Sequence, residues 1–129
     1  MEEKRGEERR QFVRIDDSTK VRYQVIKSFR LVTSHTENIS EGGIRLPILQ
    51  RLQPGMVLEV ELYFPQHSKP AVVTGTIVWI KEVGDLKFPF VVGIKFLSVD
   101  QASLNKIRTY IQSKRSDKLV GWIEPGQEA

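Results

Sequence analysis

The chain contains no cysteine, which excludes disulfides, thiolate nucleophiles and cysteine-ligated metal sites. It has two histidines, His35 and His67, too isolated for a metal site at any recognisable spacing. No apolar run is long enough to span a bilayer, so no membrane segment is read. No apolar segment follows the opening Met-Glu-Glu-Lys-Arg, so no secretory signal is read and a cytoplasmic location is expected. Carboxylates are scattered without forming an acid–base pair. Ser40 has neither a nearby histidine nor a nucleophile-elbow glycine pattern. With no catalytic constellation, the chain is not expected to be an enzyme or to carry a cofactor. The formal charge of +4 suits an anionic ligand and is too small for a nucleic-acid coat protein.

What is present is enough for one domain: 129 residues with an ordinary apolar fraction. Residues 1–14 are almost all charged or small, apart from Phe12 and Val13, and are read as a flexible basic arm. Strand signals begin at Val21. Val21, Tyr23, Val25, Phe29 and Leu31 share one parity, which predicts a long strand or a hairpin with a turn near Lys27-Ser28. A strand ending at Asn38 and a short one starting at Ile44 follow. Leu52-Gln53-Pro54-Gly55 predicts a turn. From Met56 to Phe64, Leu58, Val60, Leu62 and Phe64 alternate with polar residues. Val72 to Ile80 is apolar on both parities and predicts a strand covered on both faces. Gly84-Asp85 marks a loop, and a last strand runs from Phe90 to Leu97.

The period changes after Ser98. Leu104, Ile107 and Ile111 fall on one helical face with Tyr110 beside it. Ser98 and Gln101 have capping-box spacing, and Lys114 and Arg115 place the helix end near 115. Residues 116–129 are read as a tail. Short antiparallel strands followed by one helix predict a mostly β protein, a small barrel with a helix covering one opening or flank.

Two clusters carry the functional signal. Arg9, Arg10 and Arg14 lie in the arm, with Arg10 and Arg14 spaced as Arg-x-x-x-Arg. Asn38, Ser40 and Gly43 form Asn-x-Ser-x-x-Gly. Alone, the second reads as turn chemistry, because Asn and Ser side chains bond local backbone and glycine accepts the positive φ of a sharp reversal. Both together, in this order and ahead of a barrel-like strand pattern, resemble the PilZ domain family from about Glu8 to about Lys114.

That resemblance implies a six-stranded antiparallel β-barrel with a C-terminal α-helix spanning 15–115, and a receptor for cyclic di-GMP. Arg10 and Arg14 would then hold guanine edges and phosphates, since an arginine fork matches the N7 and O6 acceptors of guanine. Asn38 would meet guanine N1 and N2 with one acceptor oxygen, where an aspartate would offer two. Ser40 offers a hydroxyl to ligand or loop, and Gly43 permits close backbone approach. Arg9 is assigned to a second, stacked ligand. The expected output is an ordered arm and an altered surface read by an unidentified downstream protein. The alternative is a nucleotide-independent protein-interaction adaptor. An RNA or DNA binder is disfavoured, because the strands lack paired exposed aromatics beside arginines. Trp79 is read as packing or as a ligand flank.

Overall fold

The computed structural model describes residues 13–28 and 30–122, with 116–122 as helical backbone only. Its elements are β1 (Ile15–Asp16), β2 (Lys20–Val25), β3 (Val32–His35), β4 (Asn38–Ser40), β5 (Gly43–Ile48), β6 (Val57–Tyr63), β7 (Ala71–Glu82), β8 (Phe90–Val99) and α1 (Gln101–Trp122). The eight strands form one sheet in the order β1-β4-β5-β8-β7-β6-β2-β3, antiparallel at every pairing. The sheet curls into a half-barrel. Its two halves approach where the Ser34 hydroxyl on β3 donates to the Pro47 carbonyl on β5 at 2.6 Å.

Alternation builds the core as the sequence indicates. Val21 and Tyr23 on β2 and Leu58, Val60 and Leu62 on β6 point inward and are fully buried. Ile39, Ile44, Leu46, Val73, Ile77 and Val92 complete the interior from the other strands. The buried Tyr23 hydroxyl satisfies its hydrogen bonds at the barrel end, donating to Gln50 Oε1 at 2.8 Å and accepting from Leu49 N at 3.0 Å. The β2–β3 turn falls at Ile26-Lys27, where Lys27 has φ 73° and Ser28 N donates to Val25 O at 2.9 Å. The Pro54-Gly55 turn is also where expected, with Gly55 at φ 94°.

Four expectations are corrected. The sheet has eight strands rather than six. The added short strands β1 and β4 are too brief to carry a periodic signal and exist through their pairing. Leu31 does not share the inward parity of Val21 and Tyr23: the turn resets the phase, so Val32 and Ser34 point in and Leu31 is exposed. Phe29 lies outside the described residues. The apolar run of β7 is not covered on both faces. Val78 is an extra residue in a bulge between Ile77 and Trp79 and stands half-exposed.

The fourth correction concerns α1. It runs to Trp122, through residues read as tail, so Lys114 and Arg115 lie within the helix rather than at its end. Its N-cap is Asp100, whose Oδ1 accepts from Ser103 N at 2.7 Å. Ser98 is still in β8, paired with Thr74, and is not available to cap. Ile107 and Ile111 pack into the core, and Tyr110 stacks on Phe64 at 4.4 Å between ring centroids. Thus α1 closes one opening of the half-barrel, held to β7 by a hydrogen bond from Val72 N to Ser103 Oγ at 2.9 Å.

Candidate functional site

The Asn38–Gly43 stretch is a tight hairpin. β4 and β5 pair as Asn38 with Arg45, Ile39 with Ile44 and Ser40 with Gly43, leaving Glu41-Gly42 as the turn. Alternation sends Ile39 and Ile44 into the core and turns Asn38 and Arg45 outward. The Ser40 hydroxyl is buried and organises the turn. It accepts from Gly42 N at 3.1 Å and from Gly43 N at 3.2 Å.

Gly43 is required for a different reason from the one its turn position suggests. Neither Gly42 nor Gly43 has a positive φ. A Cβ on Gly43 would instead lie 2.2 Å from the Ile94 carbonyl oxygen, so β5 and β8 can approach only with glycine there. Asn38 takes no part in the turn. Its side-chain oxygen is buried and has no hydrogen-bond partner among the described residues.

The register extends this pair into a row across the outer face. Asp16 on β1 pairs with Asn38, Arg45 pairs with Gly93 on β8, and Gly93 pairs with Trp79 on β7. The Val78 bulge places Trp79 on this face, where simple alternation from Ile77 would have pointed it inward. Trp79 then lies across Gly93: a Cβ there would fall 2.2 Å from the indole Nε1. The Arg45 guanidinium sits 5.4 Å from the Trp79 ring centroid, a cation–π contact. Arg45 also meets Glu37, with Nε 3.1 Å from Glu37 Oε1. This is an ion pair of poor hydrogen-bond alignment, since Arg45 Nε is buried without a hydrogen-bond partner among the described residues. Glu37 and Arg45 are each 40% exposed, so the pair is loosely held.

Arg14 is exposed and immediately precedes β1. Continuing the β1–β4 register, in which Ile15 meets Ile39 and Asp16 meets Asn38, brings Arg14 opposite Ser40. Arg14 therefore lies next to β1, the edge of the sheet beside the hairpin. Arg9 and Arg10 lie outside the described residues.

Arg14, Asn38, Ser40 and Gly43 are thus brought to one place. Arg45, Trp79 and Gly93 join them without having been anticipated as a group. Arg45 left a signal, as the one charged residue in the otherwise apolar Gly43–Ile48. Trp79 left a weaker one, an apolar run whose mixed parity reports a bulge. Among the described residues no cluster of side chains could hold a metal ion. No described helix is long and apolar enough to cross a membrane.

The PilZ domain family model matches residues 8–113. The sequence has no significant match among curated proteins. Solved structures share the fold. The inhibitor of motility MotI/DgrA of Bacillus subtilis superposes with a TM-score of 0.71 at 18% identity, over 84% of this chain and 52% of that one. The chain thus spans about half the length of that protein. The PilZ domain of YcgR from Escherichia coli, solved with c-di-GMP, gives a TM-score of 0.65 at 19% identity, over 88% of this chain and 97% of that one. The Klebsiella pneumoniae MrkH–c-di-GMP complex gives 0.62 at 11% identity, over 87% of this chain and 55% of that one.

Proposed function

The chain belongs to the PilZ domain family, and on that premise we propose that it is a receptor for cyclic di-GMP, bound on the outer row between the arginine arm and the β4–β5 hairpin. The observation that carries this reading is the Asn38 side-chain oxygen, buried and without a donor among the described residues. Leaving such an acceptor unpaired costs about 1–3 kcal/mol. A guanine recovers that cost, because its N1 and N2 groups are hydrogen-bond donors.

Each residue then has a task. Asn38 accepts from the guanine N1–N2 edge. Arg10 and Arg14 enter from the β1 side and take the N7–O6 edge and the phosphates, for which an arginine fork is matched and a lysine is not. Ser40 holds the hairpin turn, and Gly43 keeps β5 close to β8, so that the hairpin stays in place beneath the ligand. Arg45 and Trp79 form a flat cationic–aromatic surface beside Asn38 against which a base stacks. Arg9 serves a second, stacked nucleotide. Ligand bridges arm and barrel, draws the arm across the outer face, and so changes the surface offered to a partner protein. YcgR and MrkH, two proteins of this fold, have been solved with c-di-GMP, which supports the choice of ligand.

Isothermal titration of cyclic di-GMP into wild type, Arg10→Ala and Asn38→Ala tests the reading. Wild type is expected to bind, and each variant to lose about tenfold or more in affinity, the loss of one good base contact. A stoichiometry of one ligand per chain removes the role given to Arg9. Equal amide exchange in residues 5–15 with and without ligand overturns the arm movement. No heat and no ligand-induced stabilisation of wild type sinks the receptor reading and leaves the nucleotide-independent adaptor.

A further inference from the structure

Helix α1 touches both limbs of the nucleotide site through polar contacts that a simple cover would not need. The first contact reaches the arm's root. The Tyr110 hydroxyl donates to Asp17 Oδ1 and accepts from Thr19 Oγ1 at 3.1 Å. Asp17 directly follows β1 and thus follows the strand that brings in Arg14. Its other oxygen accepts from Thr36 Oγ1 at 2.7 Å, and that hydroxyl accepts in turn from Thr19 N at 2.9 Å. The backbone continues the path. Asp17 N donates to Glu37 O at 3.0 Å, and Glu37 N donates to Arg45 O at 2.8 Å. The second contact reaches the hairpin. Arg108 Nε donates to Glu41 Oε1 at 2.7 Å, and Glu41 is in the turn between Ser40 and Gly43.

We propose that Tyr110, Asp17 and Arg108 are positioning residues for the nucleotide site, and that α1 is the element through which ligand occupancy is linked to the rest of the molecule. This rests on the receptor reading above. The helix braces the segment just after β1, which Arg14 precedes, against the hairpin that carries Asn38. A ligand that bridges the two limbs draws on the same spacing, so binding and helix docking must stabilise one another reciprocally.

The apolar part of α1 suffices to close the barrel. Ile107 and Ile111 are buried, and the Tyr110 ring stacks on Phe64. A phenylalanine at 110 would cover as much surface. The hydroxyl and the part-buried carboxylate of Asp17 add directional constraint instead, and such groups specify geometry more than they add stability. Burial, reinforced by Asp17, pushes the Tyr110 hydroxyl up to about 12, so it remains a neutral donor at any physiological pH. Ser103 offers an internal contrast. It anchors the same helix to β7 at Val72, the end of that strand remote from Trp79, and touches neither limb.

The test combines calorimetry with amide hydrogen exchange on the full chain, with cyclic di-GMP as the probe. Tyr110→Phe and Arg108→Gln are each expected to weaken binding by about five- to tenfold, in the lower range of coupled sites. Ser103→Ala is expected to lower the melting temperature and leave Kd unchanged. In wild type, saturating ligand is expected to slow exchange across residues 101–115. If wild type binds but Tyr110→Phe and Arg108→Gln bind equally well, the inference fails while the receptor reading stands. Should Tyr110→Phe fail to fold, wild-type exchange decides: unchanged protection of α1 on binding overturns the linkage. A wild type that does not bind the nucleotide overturns both readings together.

Discussion

Trp79 faces outward because Val78 occupies an extra position in β7, and Gly93 has no side chain to prevent the indole from lying across it. The arrangement is a matched pair, which makes it testable. Gly93→Ala puts a Cβ 2.2 Å from Trp79 Nε1 and must displace the ring or bend the strand. The expected cost is about 1–3 kcal/mol, the usual range for overpacking. In a Trp79→Ala background the indole no longer opposes the same change, which should cost less. A double-mutant cycle in urea measures the difference; equal costs in the two backgrounds would show that the indole is not the obstacle. Residues of the same motif differ in what the sequence reveals about them. Asn38 and Gly43 are both visible as motif members. Only the neighbouring strand explains why Gly43 must be glycine, because its constraint comes from the Ile94 carbonyl, far along the chain.

At the scale of elements, boundaries follow from which neighbour claims a residue first. Ser98 and Gln101 have the spacing of a capping box, yet Ser98 stays paired with Thr74 because β8 continues to Val99. Asp100 is the first residue free of the sheet, and it caps α1 through Ser103 N at 2.7 Å. Asp100→Ala should therefore lower stability by about 1 kcal/mol, while Asp100→Ser should remain close to wild type. Chemical denaturation would measure both, and an Asp100→Ala protein as stable as wild type would argue against the cap. β6 was legible from end to end, since Leu58, Val60 and Leu62 alternate with polar residues on a half-exposed sheet face. β1 and β4 were not legible as strands. Two or three residues contain no period, and their extended shape is imposed by mutual pairing and by β5.

For the molecule as a whole, the half-barrel brings Arg14 beside the Asn38–Gly43 hairpin on one outer face although they are separated in sequence. If that face binds cyclic di-GMP, the folded state gains stability from the ligand by mass action. At about a hundredfold over Kd the gain is about 2.7 kcal/mol. A thermal shift that grows with nucleotide concentration is therefore expected in wild type and greatly reduced in Asn38→Ala. A wild-type melting curve unaffected by nucleotide would contradict the receptor reading without recourse to calorimetry. The helix belongs to this scale as well, because Tyr110 and Arg108 reach Asp17, just after β1, and the hairpin turn from one element.

The sequence by itself determined the class of fold and the family, and it marked the candidate site. Alternating apolar residues select strands because each strand has one face to bury, and a late change of period selects a helix. Motif spacing selects a family because two short residue patterns occur together and in order, ahead of a barrel-like run of strands. Tertiary structure decided the number of strands, the extent of α1 and the outward turn of Trp79. It also assembled Asp16, Asn38, Arg45, Gly93 and Trp79 into one row. Those features depend on register and bulges, which are set by contacts between residues far apart in the chain and leave no local period to read.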